Sequence, residues 1–258
     1  MNRIGVSLVL LVAVGAGLLA LTPVPRAEAE GRVKTDFTPQ QEQQIEALVR
    51  QYILEHPEII PEAVAELQRR EVVKVLETYR ADIETPFPGA EAGNPKGDVI
   101  LVEFFDFRCP FCRKSHSDLK RLIKEDPNLR VVFRDLPILD REGAEPLSRR
   151  AAIAALAAAK QGRYYDLHDA LFSAPGRMTQ ETLVTAVREA GLDEKRLAAD
   201  MNDADIEQEI AKNLQLAGNL GLSGTPTYVI GDQIISGAVD YNDLKEAVAK
   251  ARAAKAGK

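Results

Sequence analysis

Residues 99–107 read Val-Ile-Leu-Val-Glu-Phe-Phe-Asp-Phe and run directly into Arg108-Cys109-Pro110-Phe111-Cys112. A run this short, this apolar and this rich in β-branched and aromatic side chains predicts a buried strand. The stretch from about Phe111 to Lys124 has a helical pattern, and Arg130–Phe133 is a second short β-branched and aromatic run. Strand, helix, strand within forty residues is a βαβ unit. The chain must therefore build a sheet with a helix packed on it, and it places two thiols where the first strand turns into that helix.

The rest of the chain dresses this unit. Residues 146–221 read as helical throughout, from the alanine-rich Ala151–Ala159 to Ala204–Leu220 with Ile206, Ile210, Leu214 and Ala217 in register. Thr227–Ile230 and Gln233–Ser236 flank Gly231-Asp232, a hairpin connection. A last helix is expected from about Asp240 to Ala253. Upstream, Thr38-Pro39 opens a helix, since threonine caps and proline suits the first turn. Its apolar positions are Ile45, Leu48, Val49, Tyr52 and Ile53. His56-Pro57 interrupts it, and a second helix follows from about Pro61 to Tyr79. Two such helices cannot bury their stripes alone, so they pack on the main domain, on each other or on another subunit. The proline- and glycine-rich segments at 85–89 and 93–97 mark a boundary. The expected organisation is residues 1–29 as a targeting segment, 30–84 as a helical N-terminal segment, and 85–258 as an α/β domain with a helical insertion at about 146–221.

The targeting reading rests on Asn2-Arg3, the uncharged run Ile4–Leu21 and the small-x-small triplet Ala27-Glu28-Ala29. Both a cleaved signal peptide and an uncleaved anchor place the body of the chain outside the cytoplasm. A net charge of −6 argues against a nucleic-acid partner.

The two cysteines of the chain lie three positions apart. A disulfide closing so short a loop restrains the unfolded chain little, so the pair has a weak structural motive. At a helix start, unpaired N–H groups stabilise a thiolate on Cys109 and make it the nucleophile. Cys112, one turn further in, can resolve a mixed disulfide. Zinc or copper binding through Cys109, Cys112 and His116 is the alternative, although a structural zinc site usually needs four protein ligands. A holdase role for the N-terminal helices is another. His56 and His168 read as incidental. Met178 and Met201 do not suggest a copper-binding methionine cluster.

The run Val102–Cys112 closely resembles the active site of the DsbA family, and Gly224-Thr225-Pro226-Thr227-Tyr228-Val229-Ile230 resembles that family's cis-proline loop. Phe133-Arg134-Asp135-Leu136-Pro137-Ile138 is similar to the segment after its second core strand. The resemblance implies a thioredoxin-like fold with an inserted helical subdomain, preceded by a short all-α segment. It implies thiol–disulfide exchange at Cys109 and Cys112 without a cofactor. It casts Glu103 as a buried acid that exchanges protons with Cys112. It casts Pro226 as the cis-proline and Thr225 as a backbone contact for substrate, with Pro110 and Phe111 between the thiols. The implied partners are exported protein substrates and a membrane redox partner. The best-known active site of the family has histidine where this chain has Pro110-Phe111, and the threonine before Pro226 is closer to the isomerase and ScsC-like branches. Residues 37–80 look like the N-terminal domain of ScsC-like copper-tolerance proteins, which implies a homotrimer or other homo-oligomer through residues 38–80.

Overall fold

The computed structural model describes residues 36–257. The signal and anchor readings of the first 29 residues lie outside them. Among the described residues, no helix is long and apolar enough to cross a membrane. The chain divides into two compact units, 1–57 and 58–258.

The first unit contributes α1 (Pro39–Glu55). Thr38 and Gln41 form a reciprocal capping box at its start, and Pro39 occupies the first turn. None of its residues is buried.

The second unit begins with α2 (Ile59–Glu84), which is longer at both ends than the apolar pattern from Pro61 to Tyr79 indicates. Its C-terminal half is the reason. Leu76 and Ile83 are buried with Val102, Phe104 and Val132, so tertiary packing carries the helix to Glu84. The second unit therefore starts at Glu58, upstream of the turn-rich segment at 85–97. Of the partners open to the two helices, this half of α2 takes its own sheet. Its N-terminal half keeps Ile60, Val64 and Leu67 exposed.

Five strands follow: β1 (Glu91–Gly93), β2 (Val99–Phe105), β3 (Leu129–Asp135), β4 (Thr227–Ile230) and β5 (Gln233–Ser236). Their order in the sheet is β1-β3-β2-β4-β5. β2 and β3 run parallel, and the other neighbours are antiparallel. The hairpin closes at Gly231, whose φ of +58° suits glycine. Between β2 and β3 lies α3 (Pro110–Glu125). Between β3 and β4 lie α4 (Leu147–Ala159), α5 (Tyr164–Ser173), α6 (Gln180–Glu189), α7 (Glu194–Asp200) and α8 (Ala204–Asn219). The chain closes with α9 (Tyr241–Ala256).

Alternation along β2 divides the core. Leu101 and Phe105 face a large cluster that includes α3, α4, α5 and α9, whereas Val102 and Phe104 face α2 and α8. Glu103 falls on the side of Leu101 and Phe105.

Candidate active site

Cys109 caps α3 in an extended conformation (φ −72°, ψ 119°), with Pro110 in the first turn. The approach is fixed by Asp106, a residue that the sequence reading passed over. Its carbonyl accepts from the Cys109 N–H at 2.9 Å. Its carboxylate accepts from the Arg108 N–H at 2.8 Å and from the N–H groups of Ile138 and Leu139 at 2.9 and 3.0 Å. The bond from Asp106 to residue i+2 is a local turn signal. The bonds to Ile138 and Leu139 need the folded sheet and have no counterpart in the sequence pattern.

Both cysteines are free thiols. Cys109 is 4% exposed and Cys112 fully buried. The Cys109 thiol donates to the Thr225 carbonyl oxygen at 3.1 Å. As a thiolate, Cys109 is held by the Cys112 thiol, the Thr225 side chain and the N–H groups of Cys112 and Phe111, which bring its pKa down to about 6. Burial pushes Cys112 strongly the other way, reinforced by its bond to Cys109 and by the Glu103 charge. One thiol is thus poised to be anionic and the other to keep its proton.

Thr225 and Pro226 are joined by a cis peptide bond, as the resemblance implies. The hydrogen bond from Cys109 to Thr225 brings together residues over a hundred positions apart. Pro110 and Phe111 lie on the surface beside the dithiol, and Phe111 is 60% exposed.

Glu103 is 1% exposed. Its strand partners are Phe133 on β3 and Tyr228 on β4. Burial raises its carboxyl to about 8, against a hydrogen bond from Tyr228, and the charges of Cys109 and Asp135 add to the rise. Its Oε2 has no partner. A solvent-facing glutamate is ruled out, and a protonatable group stands in the field of both thiols.

The structure takes His116 elsewhere. Its Nε2 lies 2.8 Å from Asp169 on α5, which also pairs with Lys120 at 2.7 Å. No group of three potential metal ligands occurs among the described residues. His168 is a core residue among Phe105, Phe133 and Phe172. The ring of His116 comes within 5.3 Å of it, a meeting the sequence did not suggest. Burial holds His168 neutral, with its pKa well below the usual imidazole range.

Comparison with known proteins agrees with this geometry. Residues 100–249 match the model of the DSBA-like thioredoxin domain, and residues 41–72 match the copper resistance protein ScsC N-terminal domain. A thioredoxin-like oxidoreductase from Silicibacter pomeroyi DSS-3 is 41% identical, with a TM-score of 0.59, covering 64% of this chain and 93% of that one. The thiol-disulfide exchange protein alpha-DsbA2 from Wolbachia pipientis is 31% identical, with a TM-score of 0.64, covering 71% and 97%. Among curated relatives, the Na(+)/H(+) antiporter NhaA 1 of Salinispora arenicola is 30% identical over 159 residues, 62% of this chain and 24% of the antiporter. The match thus spans about a quarter of that relative's length. The matched domain runs from β2 into α9 and holds both thiols and the 225–226 loop, so the chain belongs to the DsbA-like thioredoxin family of thiol–disulfide oxidoreductases.

Proposed function

We propose that this protein forms or isomerises disulfides in extracytoplasmic proteins through Cys109 and Cys112. The observation that carries the reading is the division of labour between the thiols. Cys109 is a low-pKa thiol at a helix start against the Thr225 carbonyl, and Cys112 is sealed behind it next to Glu103. In oxidation, a substrate thiolate attacks Cys109 of the enzyme disulfide. Cys112 leaves and takes a proton from Glu103. A second substrate thiolate then releases Cys109 as its stabilised thiolate. In isomerisation, reduced Cys109 attacks a wrong disulfide, and Cys112 or a substrate thiol frees it.

Thr225 offers its backbone to an extended substrate segment, and Pro110 and Phe111 supply an apolar contact beside the nucleophile. A membrane redox partner recharges the dithiol. Exposed apolar residues on α1 (Leu48 and Leu54, each 66%) and on the start of α2 (Leu67, 58%) favour self-association through residues 38–80, as a trimer or other homo-oligomer. Export is part of this reading, supported by the resemblance and by the match to the ScsC N-terminal domain. For the metal-binding alternative, no group of three potential ligands occurs among the described residues.

The test uses scrambled ribonuclease and, separately, reduced ribonuclease with an oxidant. Wild type restores activity in at least one assay, and Cys109→Ser does so in neither. A Cys109→Ser variant as active as wild type in both ends the proposal.

A further inference from the structure

Glu103 is not the only carboxyl buried on its face of the sheet. Asp135, the last residue of β3, is 1% exposed. In the parallel β2–β3 ladder Glu103 pairs with Phe133 and Phe105 pairs with Asp135. Asp135 thus lies two positions beyond Glu103's own partner, so the two side chains project from the same face of the sheet. That face is covered by α3 and α5. Asp135 Oδ2 accepts from the buried Tyr164 hydroxyl of α5 at 2.7 Å, whereas Oδ1 has no partner. Glu103 Oε2 is likewise unpartnered.

The other charged groups around the pair are already committed. Asp106, in the turn before α3, spends its carboxylate on three backbone N–H groups. Glu209 of α8 is paired with Arg134 at 2.6 Å. Arg134, the neighbour of Asp135 on β3, directs its guanidinium to α2 and α8. The Tyr228 hydroxyl of β4 lies 2.9 Å from Ser115 Oγ of α3 and is the group that favours the Glu103 carboxylate. His168 of α5 is neutral. What remains is two buried carboxyls on one face of the sheet, each with one tyrosine hydroxyl, Tyr228 at Glu103 and Tyr164 at Asp135, and each with one unpartnered oxygen.

We propose that Asp135, held by Tyr164, is a positioning residue that raises the proton affinity of Glu103, the two carboxyls being coupled across one buried face of the sheet. This rests on the thiol–disulfide reading of Cys109 and Cys112. Two carboxylates in one dry site cannot both ionise freely, and the charge settles where a donor meets it. Burial is the main cause of Glu103's elevation to about 8, and a charge on Asp135, itself raised by burial to about 8, adds to it. Protonated Glu103 can give its proton to a departing Cys112 thiolate, and ionised Glu103 can accept the proton when Cys112 attacks.

The step that reads this out is resolution of a mixed disulfide between Cys109 and glutathione. The Cys112 proton passes to the Glu103 carboxylate, and the Cys112 thiolate bonds to the Cys109 sulfur. The bond from Cys109 to glutathione breaks, and glutathione leaves as its thiolate with the electron pair. Cys112 is oxidised and glutathione reduced, with no further reagent.

The experiment follows single-turnover release of glutathione from that adduct on the full chain across a pH series, for wild type, Glu103→Gln, Asp135→Asn and Tyr164→Phe. A carboxyl carbon-13 NMR titration of Glu103, assigned by its loss in Glu103→Gln, accompanies it. Asp135→Asn lowers the Glu103 inflection by about one pH unit or more in both readouts, as removal of a like charge requires. Tyr164→Phe moves it the same way by less. A merely structural Asp135 would lower thermal stability and leave the inflection in place. An inflection that stays put in Asp135→Asn and Tyr164→Phe but disappears in Glu103→Gln overturns the inference and leaves the dithiol reading intact. Should Asp135→Asn not fold, Tyr164→Phe alone decides the matter. If Cys109→Ser still exchanges glutathione, the dithiol reading itself has failed.

Discussion

Glu103 costs the fold stability in a pH window that can be stated with its sign. Its carboxyl titrates at about 8 in the folded chain and near 4.5 when exposed. Between those values the folded state binds a proton that the unfolded state has lost, so stability falls as pH rises and the deficit is complete above about 8. A glutamine cannot ionise. Glu103→Gln is therefore expected to gain on wild type by about 5 kcal/mol at alkaline pH and by little below the ordinary glutamate range. Urea unfolding at the two extremes checks this, and an advantage that does not grow with pH contradicts it. Cys109 works the other way. Its depressed thiol stabilises the reduced fold as pH rises from about 6 to 9, and that contribution is lost as pH falls through 6. These two groups share one site with opposite pH slopes, a tension expected where chemistry rather than stability dictates the residue.

At the level of elements, Arg134 joins three pieces of chain. It is fully buried and donates to the carbonyls of Asp82, Ile83 and Thr85 at the end of α2, and to Glu209 and Asn213 on α8. It satisfies carbonyls that the C-cap, the Thr85 N–H bonded to Ala81, leaves open at the end of α2. Arg134→Met strands those acceptors and leaves Glu209 unpaired. The expected loss is about 3–5 kcal/mol, read from the urea midpoint, and a loss below about 1 kcal/mol would refute the clamp. The sequence showed Arg134 only as part of a familiar run, because its partners lie 49 to 79 positions away. The same distinction explains what else was legible. β4 and β5 were placed to the residue, since Gly231-Asp232 and alternating β-branched residues are local signals. β1 was missed, because Glu91-Ala92-Gly93 has no β propensity and is a strand only through its ladder with β3. Cys109, Cys112 and the 225–226 loop could be read from motifs. Asp106, Asp135 and Tyr164 could not, because their roles arise from contacts made across the sheet.

For the whole molecule, the N-terminal apolar residues set the expectation. α1 buries nothing, and Ile60, Val64 and Leu67 of α2 are open. Leu48→Glu with Leu54→Glu in the full chain should convert an oligomer into a monomer in sedimentation, with exchange on glutathione unchanged. A wild type that already sediments as a monomer removes the proposal. The catalytic unit, meanwhile, encloses Cys112 completely, in a cluster running from Phe87 to Val248. A thiol without solvent surface, kept protonated, is out of reach of peroxides and other electrophiles. Oxidative attack is confined to Cys109, and the first product there, a sulfenic acid, meets the Cys112 thiol before a second oxidant arrives. Their condensation expels water and yields the Cys109–Cys112 disulfide, which is the working oxidised form. An enclosed second sulfur thus makes the site self-repairing, turning its commonest chemical injury into an ordinary turnover state.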